Sequence, residues 1–341
     1  MAILLIACKD PVSDRKKDPT PEANDSLVWS DEFNGTGLDL SKWNYETGTG
    51  VNGDFGTGQL DRATNRKENI DLVQGIKNAE GGCLAITTRK ENYIDRNYTS
   101  GRLTTSGKGA WGPGHKLTAR IWARDVLAKG QGFAFWMMPS EKPADQSYIM
   151  WPQGGEVDVM EYVGSMPRHN LGSVHYAWSW ENNQYAEWNH GHKGAYYSFK
   201  SNDVPVTSPS FETFISQPGD SILGNGSFHV YSLEWRSDRM EFAVDDNVYH
   251  VHYFNDGAAF DFGIADGQDE EGAKTVNGKR TFLSEYSNHF PEWHPFGHSM
   301  FIILSAGVGG SDTRTYGGAI IPEAPFPCSV FVDWIRVYKI R

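Results

Sequence analysis

Apolar and polar residues alternate in short runs through most of the chain: "CLAITTRK", "KLTARIWAR", "GFAFWMMP", "EVDVMEYV", "LGSVHYAW", "FHVYSLEWRSD", "RMEFAVDDNVYHVHYF", "MFIILSAGVGG" and "SVFVDWIRVYKI". A period of two belongs to a strand with one buried face, and breaks at Gly, Asn, Asp and Pro mark the turns between such strands. No segment sustains the ~3.6-residue stripe of an amphipathic helix, so helix is expected to be minor, a turn or two within residues 254–292. That stretch is long, charged and irregular. Phe282, Tyr286, Phe290 and Trp293 argue that its second half packs down, either at the edge of a groove or as a surface elaboration.

Composition sharpens the all-β expectation. The chain has 341 residues, 39% of them apolar, enough for one large core. Its 12 Trp, 15 Tyr, 18 Phe and 37 Gly suit a sandwich with an aromatic-lined groove and many tight turns. The formal charge of −12 offers no basic stripe for phosphates, so no nucleic-acid partner is expected. Residues 9–26, "KDPVSDRKKDPTPEANDS", read as a polar tether, and structure is expected to begin at "LVWSDEFNG". Cys83 and Cys328 either pair or remain buried free thiols, the commoner outcome for two cysteines. The two histidines of "HGHK", at 190 and 192, lack a third ligand nearby and make a weak metal site.

The chemistry concentrates in "GGEVDVMEYVG", residues 154–164, where Glu156, Asp158 and Glu161 stand among apolar neighbours. In a regular strand Glu156 and Asp158 share a face and Glu161 points the other way. A β-bulge near Val159-Met160 restores the parity and brings the three acids together, and bulges concentrate beside active sites.

With its flanking blocks, "GEVDVMEYVG" resembles the E-x-D-x-x-E signature of glycoside hydrolase family 16. Those blocks are "WSDEFNGTGLDLSKWNYETG", "YTSGRL", "FAFWMMP", "VHY", "FHVYSLEW" and "VFVDWIRVYK". The likeness covers residues 27–341 and implies a catalytic domain folded as a β-jelly roll of two antiparallel sheets, with a sugar-binding cleft on the concave face. It implies Glu156 as nucleophile, Asp158 as its orienting partner and Glu161 as general acid/base, in a retaining mechanism that needs no cofactor. Trp136 would be a sugar platform, or else a core residue. Arg102 would hydrogen-bond a sugar next to the cleavage point, or else form a surface pair. His175 would touch the acid/base or a sugar hydroxyl, or else sit satisfied in the core. Some members bind a structural Ca²⁺ away from the chemistry through positions matched by Glu32 and Asp333, whose acids are equally compatible with simple hydrogen bonding between strands.

The expected function is endo-hydrolysis of a β-1,3- or mixed-linkage β-glucan by a monomer. The chain reads "GQGFAFWM" where laminarinases commonly read "GLWPAFWM", with Gly132 in place of a Trp, and "FGTGQLDRAT", with Gln59, in place of "GNNELQ". Both changes fall on cleft-lining segments, so an endo-β-galactosidase acting on galactans or poly-N-acetyllactosamine is the alternative. A non-catalytic β-glucan-binding protein is the reading from another class, disfavoured because all three acids are kept. The opening "MAILLIACKD" is similar to a truncated lipoprotein signal: Cys8 follows Leu5-Ile6-Ala7, which implies a lipid anchor and the envelope or surface of a Gram-negative bacterium. No stretch approaches the ~20 apolar residues of a membrane-spanning helix.

Overall fold

The computed structural model describes residues 25–142, 151–177, 180–181, 184–185, 190–199, 224–254, 272–283 and 295–341; the side chains of 177, 180–181, 184–185 and 190–192 lie outside that description. The tether and Cys8 therefore lie outside the described residues, as do Tyr286, Phe290, Trp293 and the imidazoles of His190 and His192.

The chain is built of short strands. In order they are β1 (Ser26–Asp31), β2 (Asn44–Tyr45), β3 (Asp61–Ala63), β4 (Ile70–Val73), β5 (Cys83–Tyr93), β6 (Arg96–Ser100) and β7 (Arg102–Thr104). Next come β8 (His115–Trp122), β9 (Gln131–Pro139), β10 (Glu156–Val163), β11 (His169–Ala177), β12 (Trp180–Glu181), β13 (Gln184–Tyr185) and β14 (His190–Ser198). The last are β15 (His229–Trp235), β16 (Arg239–Val244), β17 (Asn247–Tyr253), β18 (Ala273–Val276), β19 (Lys279–Leu283), β20 (Met300–Val308) and β21 (Cys328–Lys339). Helix among the described residues amounts to 3-10 turns such as Val51–Gly53 and Pro295–Gly297. The described part of the 254–292 segment is not helical: Asn277 and Gly278 both take positive φ and close a tight hairpin of β18 and β19. Phe282 on β19 is buried.

Two sheets carry the fold. The larger runs β18-β19-β17-β16-β15-β8-β21-β5-β6-β3, with β1 on β21 and β4 on β5; the smaller runs β14-β11-β10-β9-β20-β7-β2. Pairing is antiparallel except β17 with β19 and β3 with β6. The expected sandwich follows from the alternation. On β9, Phe133, Phe135 and Met137 are buried in one core cluster with Leu117, Ala119 and Ile121 of β8, while Ala134, Trp136 and Met138 face away and are half-buried. Fully burying each large apolar side chain contributes about 1.5–3 kcal/mol, so this inward set fixes which face of the small sheet is left for a ligand.

Cys83 and Cys328 are free and buried. Cys328 pairs in register with Thr88 of β5, whereas Cys83 lies at the other end of the β5–β21 ladder, so the sheet holds the thiols apart. Burial pushes both thiols up to about 12.

Candidate active site

β10 carries the bulge that the acid spacing requires. Against β9, Asp158 pairs with Trp136 and Met160 with Phe135, so Val159 is the extra residue; against β11, Asp158 pairs with Ser173 and Glu161 with Leu171. Val159 and Met160 both go into the core, at 1% and 0% exposure. Two consecutive side chains on the inner face restore the parity, and Glu156, Asp158 and Glu161 all line one cleft.

The cluster is wired through its neighbours on β11. Ser173 Oγ donates to Asp158 Oδ2 at 2.9 Å and lies 3.3 Å from Glu161 Oε2. His175 Nε2 is 3.4 Å from Asp158 Oδ2, and Asp158 also hydrogen-bonds Glu156. Burial, then the charge of Asp158, raises Glu156 to about 8. The same two causes raise Glu161 well above the usual carboxylate range. Burial alone would lower His175, but Asp158 and both glutamates outweigh it and carry the imidazole up to about 9. Burial thus favours the protonated form of both glutamates, while the neighbouring carboxyls favour the charged form of the imidazole.

Three of the four expected contacts, Trp136, Arg102 and Gln59, line the same cleft. Trp136 faces it rather than the core, and its Nε1 donates to Ser305 Oγ at 3.0 Å. Arg102 lines it and also forms an ion pair, its Nε bound to Glu46 Oε2 at 2.7 Å. Gln59 lines it from the loop before β3, beside Gly307, where a Cβ would lie 2.7 Å from the Gln59 Oε1. His175 is no isolated core histidine, since it bonds the acid between the two glutamates.

Three residues at the site were not foreseen. Trp151 donates Nε1–H to Glu156 Oε2 at 2.7 Å and its ring lies 5.7 Å from that of His175. Phe55 and Tyr316 approach from loops, and Tyr316 is hydrogen-bonded to Tyr196. Loop aromatics carry no periodicity; for Trp151 the available signal was a Trp-Pro pair just before Gly-Gly and the first acid.

Glu32 and Asp333 do not fit a calcium ion as they stand. Asp333 is 1% exposed and is bound by the Arg120 guanidinium and by the Glu80 N–H at 3.1 Å. Glu32 instead takes both Nε and Nη2 of Arg336. Each carboxylate already has a cationic partner, and no step below uses a metal.

Comparison with known proteins places the chain. No family model matches it. A β-glucanase of Rhodothermus marinus is 31% identical over 344 residues, spanning 98% of this chain and 92% of that protein. The glucan endo-1,3-β-glucosidase A1 of Niallia circulans is 30% identical over 326 residues, spanning 92% of this chain and 38% of that protein. Among solved structures, the catalytic domain of an endo-1,3-β-glucanase (laminarinase) from Thermotoga petrophila superposes with a TM-score of 0.63 at 27% identity. That match covers 93% of this chain and 99% of that one.

Proposed function

The chain belongs to glycoside hydrolase family 16, and from that premise we propose that it is a retaining endo-β-glucanase acting on a β-1,3- or mixed-linkage glucan. The observation that carries the reading is the bulge at Val159, which collects Glu156, Asp158 and Glu161 on the cleft face of one strand.

In the first step Glu161, held protonated by burial, gives its proton to the glycosidic oxygen as the C1–O bond breaks. The Glu156 carboxylate attacks C1 from the opposite side, forming a glycosyl ester. In the second step water attacks C1, its proton passes to Glu161, and the Glu156 carboxylate leaves. Two inversions give net retention. The His175 cation favours the anions of both glutamates, but the Trp151 N–H bonds Glu156, which supports Glu156 as the attacking carboxylate. Ser173 and Asp158 link the acid to the nucleophile, so a proton lost by one is felt by the other.

The test is release of reducing ends from laminarin, mixed-linkage glucan, agarose, porphyran and keratan-type chains by purified protein. Laminarin or mixed-linkage glucan is expected to be cleaved to a mixture of oligosaccharides from the first minutes. Cleavage of a galactan alone would move the substrate to the galactosidase reading, and wild-type protein that binds laminarin without cleaving it would leave a binding protein.

A further inference from the structure

Phe55 is held at φ 54, in the left-handed region, and is the non-glycine residue at positive φ that lines the cleft. A Phe gains nothing local from that conformation: it has no short polar side chain to bond its own backbone, and its Cβ is crowded there. The surroundings nevertheless enforce it. Phe55 N–H donates to Thr49 O at 2.8 Å and Gly56 N–H to Val51 O at 3.0 Å. Gly50 makes room for the ring, since a Cβ on it would lie 2.3 Å from Phe55 Cδ1. The loop is latched from the other side as well, by Arg314 to Asp54 at 2.9 Å and Thr315 Oγ1 to Thr57 O at 2.8 Å. Strain held this firmly beside a site marks a residue kept for what its side chain does.

Its ring packs near the Arg102 guanidinium. The guanidinium carbon lies 5.1 Å from the Phe55 centroid and 4.9 Å from the Trp136 centroid, and Nε is taken by Glu46. With two rings packed near the guanidinium and its Nε bound, the Nη amino groups are the donors left for a ligand.

We propose that Phe55 is a positioning residue for glycan binding. It clamps Arg102 flat against Trp136, so that the Nη edge presents paired N–H donors to vicinal hydroxyls of a neutral sugar beside the cleaved bond. The inference rests on reading this cleft as a glycan site. Ring–cation contact also strengthens in a partly desolvated cleft, so an aliphatic side chain of similar bulk does not replace the ring.

Five variants, one of them double, test it on the polymer the wild type cleaves. Phe55→Tyr keeps the ring and is expected to keep KM. Phe55→Leu and Phe55→Gly are expected to raise KM about 3- to 30-fold with kcat little changed, the loss equivalent to one ring–cation contact. Phe55→Gly also removes the strain, so its Tm is expected to equal or exceed the wild type's. In Arg102→Ala the Phe55→Leu change should cost no further affinity, because the two act as one unit. Wild-type KM in Phe55→Leu, additive losses in the double variant, or a fall of Tm and activity together in Phe55→Gly would each overturn the positioning role while leaving the glycanase reading intact. A wild type that neither cleaves nor binds any of the glycans named above would overturn that reading itself, and this proposal with it.

Discussion

Glu156 and Glu161 share a cleft and the charges of Asp158 and His175, yet their separate roles predict how each variant fails. Glu156→Ala has no group to form the glycosyl ester and should be inactive on polymers. Glu161→Ala lacks proton donation, worth typically about 10²–10⁴-fold, so an aryl glycoside with a good leaving group should still react. With azide added, the Glu161 variant should give the β-azide and the Glu156 variant the α-azide; NMR of the product anomers checks both, and an α product from the Glu161 variant reverses the roles. His175 supplies the second residue-scale expectation. Its cation opposes the burial and the Asp158 charge that raise Glu156 to about 8. Removing it in His175→Gln raises Glu156 further, so the acidic limb of the kcat/KM–pH profile should move up by roughly 1–3 units. A limb that stays in place would show that His175 does not act on the nucleophile's charge. Of these residues, the three acids were legible because parity along a strand is a sequence property. Trp151, Phe55 and Tyr316 were not, because a loop aromatic reads the same in sequence whether it faces solvent or a nucleophile.

At the scale of elements, the alternating runs became strands where they were expected, because burial of one face imposes the period. "RMEFAVDDNVYHVHYF" reads as one run, yet it folds as β16 and β17 around Asp245 and Asp246, both at positive φ. An Asp-Asp pair satisfies that turn, and nothing in the period announces it. Glu32 and Asp333 show the other kind of gap. Sequence places two acids in the right blocks for a metal but does not reveal the arginines that reach them from β8 and β21. Asp333 sits where β21 slips register against β8, between Val332 and Trp334, fully buried against Arg120. Arg120→Ala leaves that carboxylate unpaired and should destabilise the fold by about 3–5 kcal/mol, read from denaturant unfolding. Calcium added to the variant tests the same point: full recovery of stability would mean that these acids take a metal once the guanidinium is gone.

At the scale of the whole molecule, the fold class was legible from strand period and aromatic content, and the order of strands in the two sheets was not, since pairing partners lie far apart in the chain. Attachment belongs to this scale too. If Cys8 carries acyl chains, Cys8→Ser should move the protein from the membrane fraction to the soluble one at unchanged specific activity; identical fractionation of the two removes the anchor. The position of β21 has a further consequence, for the order of events during synthesis. β21, which follows the other described strands, lies inside the larger sheet, between β8 and β5, and β1 pairs with it too. Until Cys328–Lys339 leave the ribosome, β5 and β8 have no partner on that side and present raw edges. The sandwich thus closes in a late step, and residues already made must wait in an open state that proteases and neighbouring chains can reach. A chain without Cys328–Lys339 is not a trimmed enzyme but an unfinished sheet.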